Sequence, residues 1–266
     1  MVKILISNDD GHYAPGIRTL ATTLGKHHDV YVSAPDRERS AMGHALTLHK
    51  PIRIDEVDFG PHVKQAVSVT GTPSDCVKLA LNATMADVGF DMVISGINHG
   101  PNLGYDVLYS GTVSAAMEGS WHGLPSVAVS LMNGFDRAAE FEHTAEFIAN
   151  LVPFVQSVDF PNRTLLNVNF PAVPLQDVTG IRLTKLGARM YTDSYERRVD
   201  PRDQVYFWLA GEIIESDGEE GTDITAIRDN AISITPVTFD LTNETFTEDH
   251  QWELNDLYKT LCDPST

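Results

Sequence analysis

Two carboxylates stand side by side at Asp9-Asp10, one residue beyond the apolar run VKILIS at residues 2–7. Adjacent carboxylates at the buried end of a strand repel one another, and a bound dication removes that cost. The bland alternative is an Asx turn or cap ahead of a helix opening at Pro15. The oxygens available around the pair are carboxylate, hydroxyl and amide, a hard-oxygen set that suits Mg²⁺ or Mn²⁺ rather than Zn²⁺. The ten histidines form no HxxxH pair. Those at 27, 28, 44, 49 and 62 are scattered and read as solvated or structural.

The stretch 95–112 carries glycines at 96, 100, 104 and 111, with Pro101 among them. Proline and glycine exclude a helix there. What remains is a flexible surface loop, or a backbone that must approach a ligand closely. It ends in Tyr109-Ser110-Gly111-Thr112, ahead of the helical run VSAAMEG. Ser110 or Thr112 can cap that helix, and the same free N–H groups can hold a phosphate. A cap alone needs no glycine beside it, which favours the anion site. Gly71-Thr72-Pro73-Ser74-Asp75-Cys76 reads as a turn and helix start, with Cys76 a buried, inert thiol. GxxxxGK[ST], GxGxxG and GxSxG are all absent, so ATP, NAD and serine-hydrolase sites are not indicated.

The elements that must position these residues alternate. Strand-type runs at 2–7, 29–34, 63–69, 91–95, 125–131 and 164–169 are separated by expected helices at 15–28, 71–85, 111–122 and 136–157. Residues 45–55 also read as extended. The alternation predicts βαβ units, right-handed crossovers and a mostly parallel sheet. Ligands of such sheets bind beyond the carboxyl ends of the strands. The loops at 8–11, 36–40 and 95–104 are therefore expected to converge. After about residue 180 the pattern changes. Stretches 188–198 and 204–214 flank Asp200-Pro201-Arg202-Asp203 and predict a long hairpin arm. A strand at 231–236 and a terminal helix at 248–261 follow. The expected division is a catalytic core, 1–180, and a C-terminal region, 181–266, that returns to the core, with no linker to mark the boundary.

The motifs taken together resemble the stationary-phase survival protein SurE family. They are ISNDDG at 6–11, APDRERS at 34–40, GTPSDCV at 71–77, SGINHGPNLGYDVLYSGTVSAAMEG at 95–119 and LLNVNFP at 165–171, with DPR at 200–202 and SITPVTFDLT at 233–242. The resemblance runs in order along nearly the whole chain. It implies a nucleoside 5′/3′-monophosphatase, in some members also active on short polyphosphate, with a Rossmann-like three-layer αβα core. It implies metal ligands Asp9, Asp10, Ser40 and Asn98 for one Mg²⁺ or Mn²⁺ per subunit. It places Asn8, Asn102, Ser110, Gly111 and Thr112 around the phosphate and the attacking water. It also implies a C-terminal arm exchanged between subunits of a homodimer or homotetramer. Two stretches depart from the family pattern: Ala41-Met42-Gly43-His44 after Ser40, and Asn243-Glu244 where many members carry a histidine.

Composition narrows the partners. The net charge is −18, and residues 211–266 hold 14 acidic against 2 basic residues. So acidic a surface repels duplex nucleic acid and anionic lipid. A small phosphate ester still binds where cations and backbone N–H groups offset the field. Two cysteines, Cys76 and Cys262, fit a reducing compartment. The first ten residues do not read as a signal peptide, and no run of about 18 apolar residues occurs. A cytoplasmic enzyme is expected.

The chemistry expected is in-line attack of water on a metal-held phosphate, with Asp9 as base or water-orienter. A covalent aspartyl-phosphate is disfavoured, because one aspartate is then both tight ligand and nucleophile. Two rivals stand beside this reading. A metal-dependent deacetylase needs histidines flanking the Asp-Asp pair. A non-catalytic nucleotide sensor needs only the phosphate site.

Overall fold

A computed structural model describes residues 1–132, 137–192, 194–211, 213–215 and 219–262. The first apolar run forms strand β1 (Lys3–Ser7). Pro15 then opens helix α1 (Pro15–Gly25), at a position where its missing N–H costs nothing. Strands β2 (Asp29–Pro35), β3 (Ile54–Glu56) and β4 (Val63–Val69) follow. Thr72 and Asp75 close a capping box that starts α2 (Pro73–Leu79). Next come β5 (Met92–His99), α3 (Gly111–Trp121), β6 (Ser126–Leu131), α4 (Arg137–Ser157) and β7 (Thr164–Phe170). The C-terminal region supplies β8 (Gly180–Leu183), β9 (Arg189–Tyr191), β10 (Tyr195–Val199), β11 (Val205–Leu209) and β12 (Ile213–Glu215). It ends with α5 (Asp223–Arg228), β13 (Ala231–Thr238) and α6 (Glu244–Cys262).

Nine strands form one sheet in the order β3-β4-β2-β1-β5-β6-β7-β13-β8. The six from β4 to β7 are mutually parallel. β3 and β13 run antiparallel to their neighbours β4 and β7, and β8 lies parallel to β13. From β1 the chain goes to β2 on one side and later to β5 on the other. The crevice at the carboxyl ends of β1 and β5 is therefore the point where strand order reverses, the place such sheets bind ligands.

Alternation along the strands builds the three layers. Ile4 and Ile6, with Met92, Ile94, Val127 and Val129, pack under α1 (Ile17, Leu20) and α4 (Phe141, Ile148). Leu5 and Val93 point to the opposite face and meet Cys76 and Val77 of α2 and Ala115 of α3. Both faces of the sheet are thus covered, which is why its strands read as continuous apolar runs.

Several boundaries differ from the sequence expectation. Residues 45–53 are irregular, and the edge strand holds only 54–56. The helix from Pro73 changes to a π-turn over Ala80–Thr84. β5 continues to His99, with an irregular register between Ser95 and Asn98. α6 begins at Glu244, four residues early, because Asn243 Oδ1 accepts the Phe246 N–H at 2.9 Å. The short β8 and α5 carry too few residues for a periodic signal. The arm is two ladders, β9–β12 and β10–β11, rather than one. Its tip is closed by Asp200 Oδ1, which accepts from Arg202 N at 2.7 Å and Gln204 N at 2.9 Å. Tyr195, Phe207, Trp208 and Leu209 on this arm are 58–70% exposed.

Layering sets a contrast in stability. Ile6 is fully buried and Ile181 is 59% exposed. Ile6→Ala lowers the unfolding free energy by about 2–5 kcal/mol, whereas Ile181→Ala changes it by less than about 0.5 kcal/mol, both read by urea denaturation. Equal losses contradict the burial described here.

Candidate active site

The Asp9 carboxyl lies under the first turn of α3. Thr112 Oγ1 donates to Asp9 Oδ1, and the Thr112 N–H also faces this carboxylate. A Cβ placed on Gly111 meets Asp9 Cβ at 2.7 Å and Pro73 Cγ at 2.9 Å, so only glycine lets the helix come this close. The helix N-terminus, with its unsatisfied N–H groups and positive end, thus meets the Asp9 carboxylate in this structure. Ser110, not Thr112, is the cap: its hydroxyl accepts from Val113 N at 3.0 Å.

Asp10 turns to the neighbouring strand end, where His99 N donates to its Oδ2 at 3.1 Å. A cleft of about 190 Å³, lined by Asp10, Ala14, Pro15, Gly16, His99 and Phe141, opens beside it. Asn98 donates its amide nitrogen to Gly100 O at 2.8 Å, which leaves Oδ1 to offer a cation. Asn8 likewise donates to Gly11 O at 3.0 Å, and its buried Oδ1 has no hydrogen-bond partner among the described residues. Ser7 and Ser95 face each other in register at the floor of the crevice, and their buried hydroxyl oxygens are unpartnered in the same sense.

The β2 loop joins at one point: Arg39 N donates to Asp9 O at 2.7 Å. Ser40 itself is exposed, and its hydroxyl donates to Glu38 Oε1 at 2.7 Å, so it makes no hydrogen bond to either aspartate. Asn102 is locked from three sides. Its N–H donates to Asn169 Oδ1 at 2.9 Å and its amide to Ser130 Oγ at 2.7 Å. Its carbonyl accepts from Asn167 Nδ2 at 2.8 Å and Asn169 Nδ2 at 3.1 Å.

The sequence reading did not anticipate these supports, nor the clamp on the glycine loop. Asp223, fully buried, accepts from Gly104 N and Gly187 N at 2.8 Å each. Arg189 donates to Asp106 Oδ2 at 2.8 Å. The signal for Asn167 and Asn169 was available, since two amides alternating within an apolar strand must find buried partners.

The donors fit a hard dication. Burial raises the carboxyl groups of both Asp9 and Asp10, and the Asp10 charge adds to the rise at Asp9. A dication reverses that logic. Among the described residues no three His, Cys, Asp or Glu side chains gather as a metal cluster. A cation held here must complete its shell with neutral oxygens and water, as Mg²⁺ commonly does. The histidine-flanked arrangement of a metal-dependent deacetylase therefore has no counterpart among the described residues.

Burial, partly offset by the Thr112 hydrogen bond, raises Asp9 from 3.8 to about 6. The folded value lies above the unfolded one, so the Asp9 contribution to stability is full below about pH 4 and is lost as pH rises to about 6. In EDTA at neutral pH, Asp9→Asn is therefore more stable than the parent by about 2–3 kcal/mol, and the gain vanishes below pH 4. Urea unfolding on both sides of this window checks it; a gain that is the same at acid and neutral pH contradicts the burial cause.

The family model described as Survival protein SurE matches residues 4–193. A protein named 5′-nucleotidase SurE from Thermosynechococcus vestitus is 50% identical over 248 residues, covering 91% of this chain and 92% of its own. One of the same name from Synechococcus elongatus is 51% identical over 251 residues, covering 91% and 95%. Another, from Carboxydothermus hydrogenoformans, is 47% identical over 244 residues, covering 91% and 92%. The crystal structure of the SurE protein from Aquifex aeolicus superposes with a TM-score of 0.80 at 38% identity, over 94% of this chain and 98% of that one. On its sequence and its fold alike, the chain belongs to the SurE family.

Proposed function

We propose that this chain is a metal-dependent phosphomonoesterase that hydrolyses nucleoside 5′-monophosphates, and also 3′-monophosphates, to nucleoside and phosphate. The observation that carries the proposal is the first turn of α3 pressed onto Asp9 at the reversal point of the sheet, with Asp10 beside it. The shared name of relatives about 50% identical supports a nucleotide as substrate.

In this reading Asp9, Asp10, Ser40 and Asn98 hold one Mg²⁺ or Mn²⁺. The ion supplies Lewis-acid polarisation of the phosphoryl oxygens. Asp9, fixed by Thr112, orients the attacking water and takes up its proton. Asn102 stays where β6 and β7 hold it, and with Asn8, Ser110 and the Gly111 N–H it faces the phosphate, while Thr112 holds Asp9 beside it. Each such donor contributes roughly a few kcal/mol as negative charge grows on the phosphoryl oxygens. The water oxygen forms a bond to phosphorus, the ester P–O bond breaks, and the proton passes to the departing nucleoside oxygen. Residues 181–266 form the region that assembles subunits into a homodimer or homotetramer. Aromatic side chains as exposed as those of the arm are favoured interface anchors. Among the described residues no helix is long and apolar enough to cross a membrane.

Phosphate release from AMP, GMP, 3′-AMP and polyphosphate tests the reading directly. EDTA abolishes it and Mn²⁺ or Mg²⁺ restores it. Asp9→Asn lowers kcat by about a hundred- to ten-thousandfold in a protein that remains folded. Full turnover in EDTA sinks the metal assignment. For the assembly, deleting residues 190–212 and bridging the ends with a short turn lowers the oligomeric state. Light scattering that finds the intact chain monomeric at micromolar concentration contradicts it.

A further inference from the structure

The loop that carries Ser40 is fastened at both ends and free between. At its start Arg39 N is held on Asp9 O. At its finish Gly43 N donates to Tyr109 O at 2.9 Å and Thr72 Oγ1 donates to Ala45 O at 2.7 Å. Thr47 N reaches the two Asp75 oxygens at 3.2 and 3.1 Å. Ala41 and Met42 are exposed between these anchors. His44 instead turns inward. Its Nε2 meets Glu118 Oε2 at 2.9 Å, and its ring lies 4.6 Å from that of Trp121.

Glu118 sits on α3 with 1% of its side chain exposed, outside the machinery described above. A buried carboxylate is costly unless it is paired. Glu118 uses both oxygens: Oε2 takes His44 from the loop and Oε1 takes Lys78 Nζ from α2 at 2.7 Å. Burial pushes its carboxyl up, but the hydrogen bonds from His44 and Lys78 and the electrostatic attraction of these neighbours together outweigh it and hold the group below the usual range. An ionised carboxylate only accepts, so His44 Nε2 carries the proton. His122, one turn on, directs Nδ1 at the Glu118 carbonyl at 2.8 Å and its other nitrogen at Asn82. Glu118 lies seven residues beyond Gly111, about 10 Å along the helix. His44 therefore sits too far along α3 to reach the Asp9 end of the helix and acts through the loop.

An apolar pair serves the α2–α3 contact as well as a buried ion pair does. What only this carboxylate does is tie a surface loop to the helix whose other end presses on Asp9. We infer that Glu118 and His44 are positioning residues: Glu118 anchors His44, and His44 sets the path of residues 40–43 that brings the Ser40 hydroxyl, here turned onto Glu38, to the cation at Asp9 and Asp10. This rests on the proposal that Ser40 is a ligand. The closing experiment separates the two.

Mn²⁺ binding to the metal-stripped full-length protein is measured by calorimetry, alongside the thermal midpoint and the Mn²⁺ dependence of AMP hydrolysis. In His44→Ala the Mn²⁺ dissociation constant rises about 10- to 100-fold in a protein whose thermal midpoint falls but which stays folded at the assay temperature, and saturating Mn²⁺ returns most of kcat. His44→Gln, whose amide can still donate to Glu118, recovers most of the lost affinity. Glu118→Leu, which can bond to neither His44 nor Lys78, behaves like His44→Ala in Mn²⁺ affinity and carries the test if that variant fails to fold. Ser40→Ala loses affinity by itself and loses no more when His44→Ala is added. If Ser40→Ala weakens Mn²⁺ binding while folded His44→Ala and Glu118→Leu bind as tightly as the parent, the positioning role is overturned and the ligand assignment stands. If Ser40→Ala binds Mn²⁺ like the parent, the inference falls together with the ligand assignment.

Discussion

The contact between the Asp9 carboxylate and the first turn of α3 fixes where every other part of the site can lie. A carboxylate under a helix N-terminus gains hydrogen bonds and a favourable dipole, but loses its water. Here the loss is the larger, since burial lifts the Asp9 carboxyl to about 6 despite Thr112. The arrangement places an unfavourable charge at the reversal point of the sheet, the kind of charge that a cation relieves. Gly111 is what makes that spacing attainable, since any Cβ there strikes Asp9 or Pro73.

Much of this was legible before the fold. Asp9 and Asp10 stand out because acidic neighbours at the end of an apolar run demand a reason. The strand and helix alternation led to the parallel core, because residues buried on both sides leave uninterrupted apolar runs. What stayed hidden came from contacts distant in sequence. Nothing local distinguishes Asp223 from the other acidic residues of a strongly acidic C-terminal region, yet it is fully buried on the N–H groups of Gly104 and Gly187. His44 looks like one more scattered histidine in the sequence, because its partner lies 74 positions away. Ser40 shows the opposite limit. Its motif is specific, but its side chain lies on the surface, where rotation is cheap, and in this structure it bonds to Glu38.

The C-terminal region is interwoven with the core. β13 and β8 extend the central sheet itself. The segment from Lys185 to Arg189 lies against the site loop, through Asp223 and Asp106. The same stretch of chain runs on into the exposed aromatic arm. Arg189, which bonds to Asp106 of the glycine loop, is thus also the first residue of β9 at the base of the arm.

The hydrogen bond from Gly104 to Asp223 spans 119 positions of sequence. During synthesis the ribosome releases both aspartates, α3 and the glycine loop well before the carboxylate that fastens that loop. At usual elongation rates the interval is on the order of ten seconds. For that time the nascent polypeptide holds the Asp9–α3 contact with one wall of the glycine loop unfastened. A message cut short before codon 223 yields a product that keeps the aspartate pair and lacks the fastening.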